Sequence, residues 1–198
     1  PVRNGKTVRF SSPTQFMAQR KSTIDEAYPG DIVGLPDNGG IFKIGDTLTE
    51  GEKIHFRGLP SFSPELFKYI ENDDPMKAKQ FMKGLEQLMN EGVAQLFVNQ
   101  FNNRKIVGTV GQLQFEVIQY RLEHEYNAKC RWEPVHLHKA CWIEAESEEE
   151  LENFKKRKYQ YMAKDIEDRD VFLADSGYVL SMAQQDFKKI KFHFTSEF

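Results

Sequence analysis

The order of elements readable after residue 60 constrains this chain most. Asp73-Asp74-Pro75 opens a helix, with an acidic cap and a proline where the first helical amides lack partners anyway. Ala78, Phe81, Met82, Leu85, Leu88 and Met89 then recur at helical spacing, and Gly92 supplies a left-handed stop. Val93–Val98 and Lys105–Val110 read as strands joined by a turn at Asn102-Asn103. A second helix follows from about Gln112 to Tyr126, with Leu113, Val117, Ile118, Leu122 and Tyr126 expected inward, then a strand from Lys129 to Val135. With Glu65-Leu66-Phe67-Lys68 as an opening strand the order is βαββαβ, the ferredoxin-like pattern.

The order then returns. Cys141–Ala145 reads as a strand, and Ser147 with Glu150 three positions later is a capping box for a helix burying Leu151 and Phe154. Short strands are expected around Tyr161-Met162-Ala163 and Val171–Ala174. A helix from about Tyr178 to Phe187 presents Val179, Met182, Ala183 and Phe187, and Ile190, Phe192 and Phe194 alternate in a closing strand.

Before residue 60 the punctuation is different. Asn4-Gly5, Pro29-Gly30-Asp31, Asp37-Asn38-Gly39-Gly40, Gly45-Asp46 and Glu50-Gly51-Glu52 leave room only for short strands. Ile32–Leu35, Ile41–Ile44 and Lys53–Phe56 are the candidates, and with Val8-Arg9-Phe10 they suggest a small barrel or part of one. The expected fold class is α+β: a small antiparallel β-barrel part over 1–60, followed by two ferredoxin-like α/β layers, a domain over 61–136 and a C-terminal α/β subdomain over 137–198 that completes it. The chain opens at Pro1 and runs directly into strand and turn residues, as expected of a cut at the edge of a domain.

Tests for chemistry are negative. Gly5-Lys6-Thr7 matches the end of a phosphate-binding loop, but no upstream glycine and strand precede it, and Val8-Arg9-Phe10 is not a helix start, so a hairpin turn is the expectation. Cys130, His136, His138 and Cys141 offer zinc-type donors at poor spacing, since neither cysteine has a second one two to four residues away. Ser61, Ser63 and Ser176 lack a nucleophile-elbow context, and the acidic run from Glu144 to Glu152 reads as a solvated helix face. No catalytic, cofactor or metal residue is therefore expected. Two cysteines are too few for a disulfide framework and fit a reducing compartment. The net charge of -3 argues against general nucleic-acid binding, so any RNA contact must come from a local patch. Two such patches exist: Lys77, Lys79 and Lys83 on the first helix, and Lys155, Lys156, Arg157 and Lys158 closing the third.

Several stretches together resemble translational GTPases of the elongation factor G type, most closely the release factor 3 branch. They are Ala27–Leu35 around Pro29-Gly30-Asp31, Ile44–Leu48, Phe56–Phe67, Asp74-Pro75 with Lys83–Leu88 and Glu91-Gly92, Val107–Val117 with Arg121-Leu122 and Glu125-Tyr126-Asn127, and Phe192–Thr195. From Lys139 onward the resemblance is one of pattern more than of words. With apolar runs far below the ~20 residues needed to cross a bilayer and no signal pattern at the N-terminus, a cytoplasmic protein is the expectation. The resemblance implies a separate N-terminal GTPase domain that binds GTP or GDP with Mg, and a protein that removes class I release factors from the ribosome without a membrane partner. It also implies that the present part is non-catalytic and meets ribosomal RNA, small-subunit protein surfaces and its own GTPase domain, with the two lysine-rich faces as contact candidates. The rival reading is a free-standing α/β interaction module unrelated to translation, for which a gene opening near Pro1 would be the discriminating feature.

Overall fold

The computed structural model describes residues 1, 5–10, 13–17, 20–37, 39–42, 45–54 and 62–196. They divide into two compact units, Pro1–Leu59 and Pro60–Phe198.

In the first unit β1 (Thr14–Met17) pairs antiparallel with β2 (Arg20–Thr23) and with β3 (Val33–Gly34), giving a three-stranded sheet. Among the described residues, of the strands expected here only the one around Ile32–Leu35 forms, as β3. Val8-Arg9-Phe10, Ile41-Phe42 and Lys53-Ile54 carry no ladder, and Lys43, Ile44, His55 and Phe56 lie outside the described residues. Asp37 instead organises its loop, its two carboxylate oxygens accepting from the amides of Ile41 and Phe42 at 3.0 Å each.

The second unit is built from two βαββαβ repeats. The first comprises β4 (Leu66–Asn72), α1 (Ala78–Asn90), β5 (Gln95–Asn99), β6 (Lys105–Thr109), α2 (Gln112–Tyr126) and β7 (Cys130–Pro134). The second comprises β8 (Lys139–Ala145), α3 (Glu148–Arg157), β9 (Met162–Asp165), β10 (Asp170–Ala174), α4 (Gly177–Asp186) and β11 (Ile190–His193). All strands join one antiparallel sheet in the order β11-β8-β10-β9-β5-β6-β4-β7, and the second strand of each repeat, β5 and β9, forms the seam with Phe97 opposite Asp165.

Local chemistry explains the helix ends. Asp74 accepts from the amide of Met76 at 2.9 Å and starts a 3₁₀ turn, Pro75–Lys77, that leads into α1. Ser147 and Ser176 cap α3 and α4, each accepting from the amide three residues on at 3.3 Å. Before α2, Gln114 reaches back so that its Oε1 accepts from Val110 and Gly111, while its Nε2 donates to the Val93 carbonyl at 2.9 Å. Helices α1 and α2 approach closely at Gly84, where a Cβ would come within 2.7 Å of the Tyr126 ring.

The sheet has apolar residues on both faces because its strands alternate. Leu96, Val107 and Ile70 face α1 and α2 together with Phe81, Leu85, Leu88, Phe115, Ile118 and Leu122. Cys141, Ile143, Met162 and Phe172 face α3 and α4 with Phe154, Leu180, Ala183 and Phe187. The intervening residues Phe67, Phe97, Ile106, Trp142, Ala163, Val171 and Leu173 form a third buried cluster, drawn from strands of both repeats, on the face without helices.

Topology explains how that face is closed. In a flat sheet, β7 and β8 stand six strand spacings apart, about 29 Å at about 4.8 Å each. The link from Pro134 to Lys139 spans at most about 18 Å. The sheet must therefore curl with its helix-free face inward, and Val135 and Leu137 of the link pack against the cluster there.

Four residues of the expected apolar patterns are corrected. Ala78 is exposed, and Leu113 and Val117 point outward at 69% and 39% exposure, while Phe115, at 1%, takes the buried position on α2. Phe194 is 41% exposed and lies beyond the end of β11.

Candidate functional site

The two basic runs lie on equivalent helices, since α1 and α3 are each the first helix of a βαββαβ unit, but at opposite ends: Lys77, Lys79 and Lys83 at the start of α1, and Lys155, Lys156, Arg157 and Lys158 at the end of α3. Their members are not equivalent chemically. Lys77 sits in the 3₁₀ turn, half-buried, and its ammonium donates to Asn127 Oδ1 at 2.7 Å, tying the start of α1 to the end of α2. Lys79 and Lys83 are exposed along α1. Lys155 is held by Glu152 at 2.9 Å and Asp170 at 3.6 Å, so much of its charge is spent inside the fold. Arg157 and Lys158 lie over the buried ring of Phe187, at 5.2 and 6.0 Å from its centre, and Lys156 is exposed. Lys79, Lys83, Lys156 and Arg157 are the exposed members of the two runs, Arg157 alone among them lying against a ring.

Other sequence candidates are placed apart. Cys130 begins β7 in the first helical core and Cys141 lies in the second, while His136 and His138 belong to the link between the repeats. Among the described residues no group of three or more His, Cys, Asp or Glu is disposed to hold a metal ion. Burial pushes the thiol of Cys130 up to about 11 and that of Cys141 up to about 12. Both thiols are therefore expected to resist an aromatic disulfide reagent at neutral pH and to react only when guanidinium unfolds the second unit. Fast labelling in native buffer would refute their placement.

Gly5 adopts a positive φ of 63°, its amide donates to the Pro1 carbonyl at 3.0 Å, and the residues that follow it, 6–10, form no helix. Ser176 serves as a helix cap, and Ser61 lies outside the described residues. Members of the acidic run are used locally: Glu150 accepts from Lys189 at 2.8 Å and Glu144 meets His193 at 3.0 Å. No helix among the described residues is long and apolar enough to cross a membrane.

Two ionic constellations escaped the sequence reading. Arg104 joins Glu71 at 2.6 Å and Glu133, stacks over Tyr69 at 3.7 Å, and shares Glu71 with Arg131, which also reaches Asp73 at 3.2 Å. Arg121 on α2 meets Glu91 just past α1 at 2.5 Å and Glu125 at 2.8 Å. Hydrogen bonding from Arg121 holds both carboxyls below their ordinary range, so what they add to stability is present at neutral pH and is lost as pH falls through those lowered values. The only sequence signal was the oppositely charged spacing of Arg121 and Glu125; the other partners come from distant segments.

Comparison with known proteins places this geometry. Residues 1–51 match the family described as elongation factor G domain 2, and residues 56–184 match the class II release factor RF3, C-terminal domain. The two matches in succession define a segment of a translation factor related to the translational GTPases. With well over half its length in the second match, the chain belongs to the class II release factor RF3 C-terminal domain family. In fold it is similar to a crystal structure of a protein from Thermus thermophilus, at a TM-score of 0.51 and 16% identity over 71% of this chain and 23% of that one. The matched part of this chain thus covers less than a quarter of the length of that protein.

Proposed function

We propose that this chain is the non-catalytic, ribosome-facing arm of a cytoplasmic translation factor that dissociates class I release factors from the ribosome in termination. The observation that carries the reading is the succession, in one chain, of a segment like elongation factor G domain 2 and a release-factor C-terminal domain. GTP, with Mg, would be bound and hydrolysed by a separate N-terminal GTPase domain. The present units transmit its nucleotide state by engaging two ribosome states with different affinity.

Contact with ribosomal RNA or small-subunit protein falls to the lysine-rich faces: Lys77, Lys79 and Lys83 at α1, and Lys155, Lys156, Arg157 and Lys158 at α3. Among them Lys79, Lys83 and Lys156 carry the exposed charges that a phosphate can reach without breaking an internal pair. Ribosome pelleting is expected to show binding that weakens steeply with salt. Lys79→Glu with Lys83→Glu should weaken it at low salt and flatten the salt dependence by about two phosphate contacts. Binding indifferent to salt, or GTP turnover by the purified chain, would overturn the proposal.

A further inference from the structure

Helix α2 has two apolar faces, and only one is used by the fold. At about 100° per residue, Phe115, Ile118 and Leu122 cluster on one side and are almost fully buried. On the opposite side Leu113, Val117, Tyr120 and His124 fall within about 60° of one another, at spacings of four, three and four. Leu113 is 69% exposed, Val117 39% and Tyr120 62%; Val110, one step earlier in the same rhythm, is 45% exposed. His124 stacks on Tyr120 with ring centres 4.0 Å apart and its Nδ1 donates to the Tyr120 carbonyl at 2.8 Å, which fixes the imidazole against the stripe. Alternating steps of three and four are the rhythm of a seam that packs against another helix at a shallow angle.

Charge selects the partner. On one flank of the stripe stand Glu116 and Glu123, the latter 3.6 Å from Lys129. On the other, the single guanidinium of Arg121 is shared by Glu91 and Glu125. The seam is therefore apolar at its centre and acidic at its margins. Nucleic-acid phosphates would be repelled there, and a second copy of the same helix would set carboxylates against carboxylates.

We infer that the outward face of α2 is a docking seam for a basic amphipathic helix of a protein partner, with apolar residues at three-and-four spacing flanked by lysine or arginine. It is distinct from the lysine-rich faces on α1 and α3 and makes the opposite electrostatic choice.

The test uses the full chain and two fluorescein-labelled three-heptad peptides, both with leucine at the a and d positions, one with lysine and one with glutamate at e and g. Fluorescence anisotropy is expected to show binding of the lysine peptide in preference to the glutamate peptide. Leu113→Ser with Tyr120→Ser should weaken it by roughly tenfold or more, with the unfolding midpoint unchanged because both side chains are exposed. Glu116→Lys with Glu123→Lys should transfer the preference to the glutamate peptide. Binding of neither peptide, equal binding of both, or binding untouched by the serine changes would overturn the inference. So would a dimer of the chain that the serine changes abolish, which would make a second copy the occupant. Because the probe is a peptide, these failures leave ribosome binding through the lysine faces standing.

Discussion

Replacing Phe154 by alanine is expected to destabilise the second unit by about 3–5 kcal/mol, the range for emptying a large aromatic site in a core. Phe154 has no exposed surface and stands at the centre of a ring cluster: Phe187 at 4.9 Å, Phe172 at 5.5 Å and Phe192 at 5.7 Å, all near edge-on. These rings come from the end of α4, β10 and β11, so the helix, the sheet centre and its edge lose contact together. Guanidinium unfolding measures the loss, and the two tryptophans report its reach. Trp132 lies beside the first helical core with Phe115 at 5.0 Å, and Trp142 lies in the shared cluster on the helix-free face. One sheet joins the repeats through β5 and β9, so both tryptophans should show the lowered midpoint even though the cavity is in the second repeat. A Trp132 transition that stays at the parent midpoint would mean the repeats unfold independently.

What the sequence disclosed depends on whether a signal was local. The bounds of α2 were readable because Gly111 and Asn127 punctuate it, Asn127 adopting a left-handed φ of 53°. Its faces were not, since Leu113 and Val117 are as apolar as Phe115 and Ile118, and only the position of the sheet decides which side is covered. Likewise β2, Arg20-Lys21-Ser22-Thr23, has no alternation of apolar and polar residues and left no trace before its partner β1 was seen. The lysine runs read as uniform charged faces, yet Lys77 is tied to Asn127 and Lys155 to Asp170, partners far along the chain. The repeated βαββαβ order was legible from helix and turn signals. That the two repeats share one curled sheet was not, because it rests on the β5 to β9 seam, which no local pattern encodes.

The second large effect concerns the hairpin turn that ends at the same place in each repeat. Asp165, the last residue of β9, has a side chain only 6% exposed and is saturated with donors. One oxygen accepts from the amides of Glu167 and Arg169 at 2.9 Å each, and the other from Trp142 Nε1 at 2.9 Å and Arg169 Nε at 2.8 Å. Asn99 ends β5 in the first repeat and does the same work for its turn, its Oδ1 accepting from Phe101 and Asn102 while its Nδ2 donates to the Gln160 carbonyl at 3.3 Å. Each residue type is set by what faces its second polar atom, two donors for the aspartate and a carbonyl for the asparagine. Asp165→Ala should therefore cost about 3 kcal/mol, since it strands the buried indole N–H and two turn amides. Asp165→Asn is nearly isosteric but turns an NH2 group toward Trp142 and Arg169, and should cost about 2 kcal/mol. The reverse change, Asn99→Asp, sets a carboxylate against a carbonyl oxygen and should destabilise by a similar amount. Guanidinium titration gives the losses, and red-shifted Trp142 emission in a Trp132→Phe background would mark the freed indole. If Asp165→Asn unfolds at the parent midpoint, the carboxylate is not what holds Trp142, and the pairing of side chain to partner in the two turns has no energetic basis.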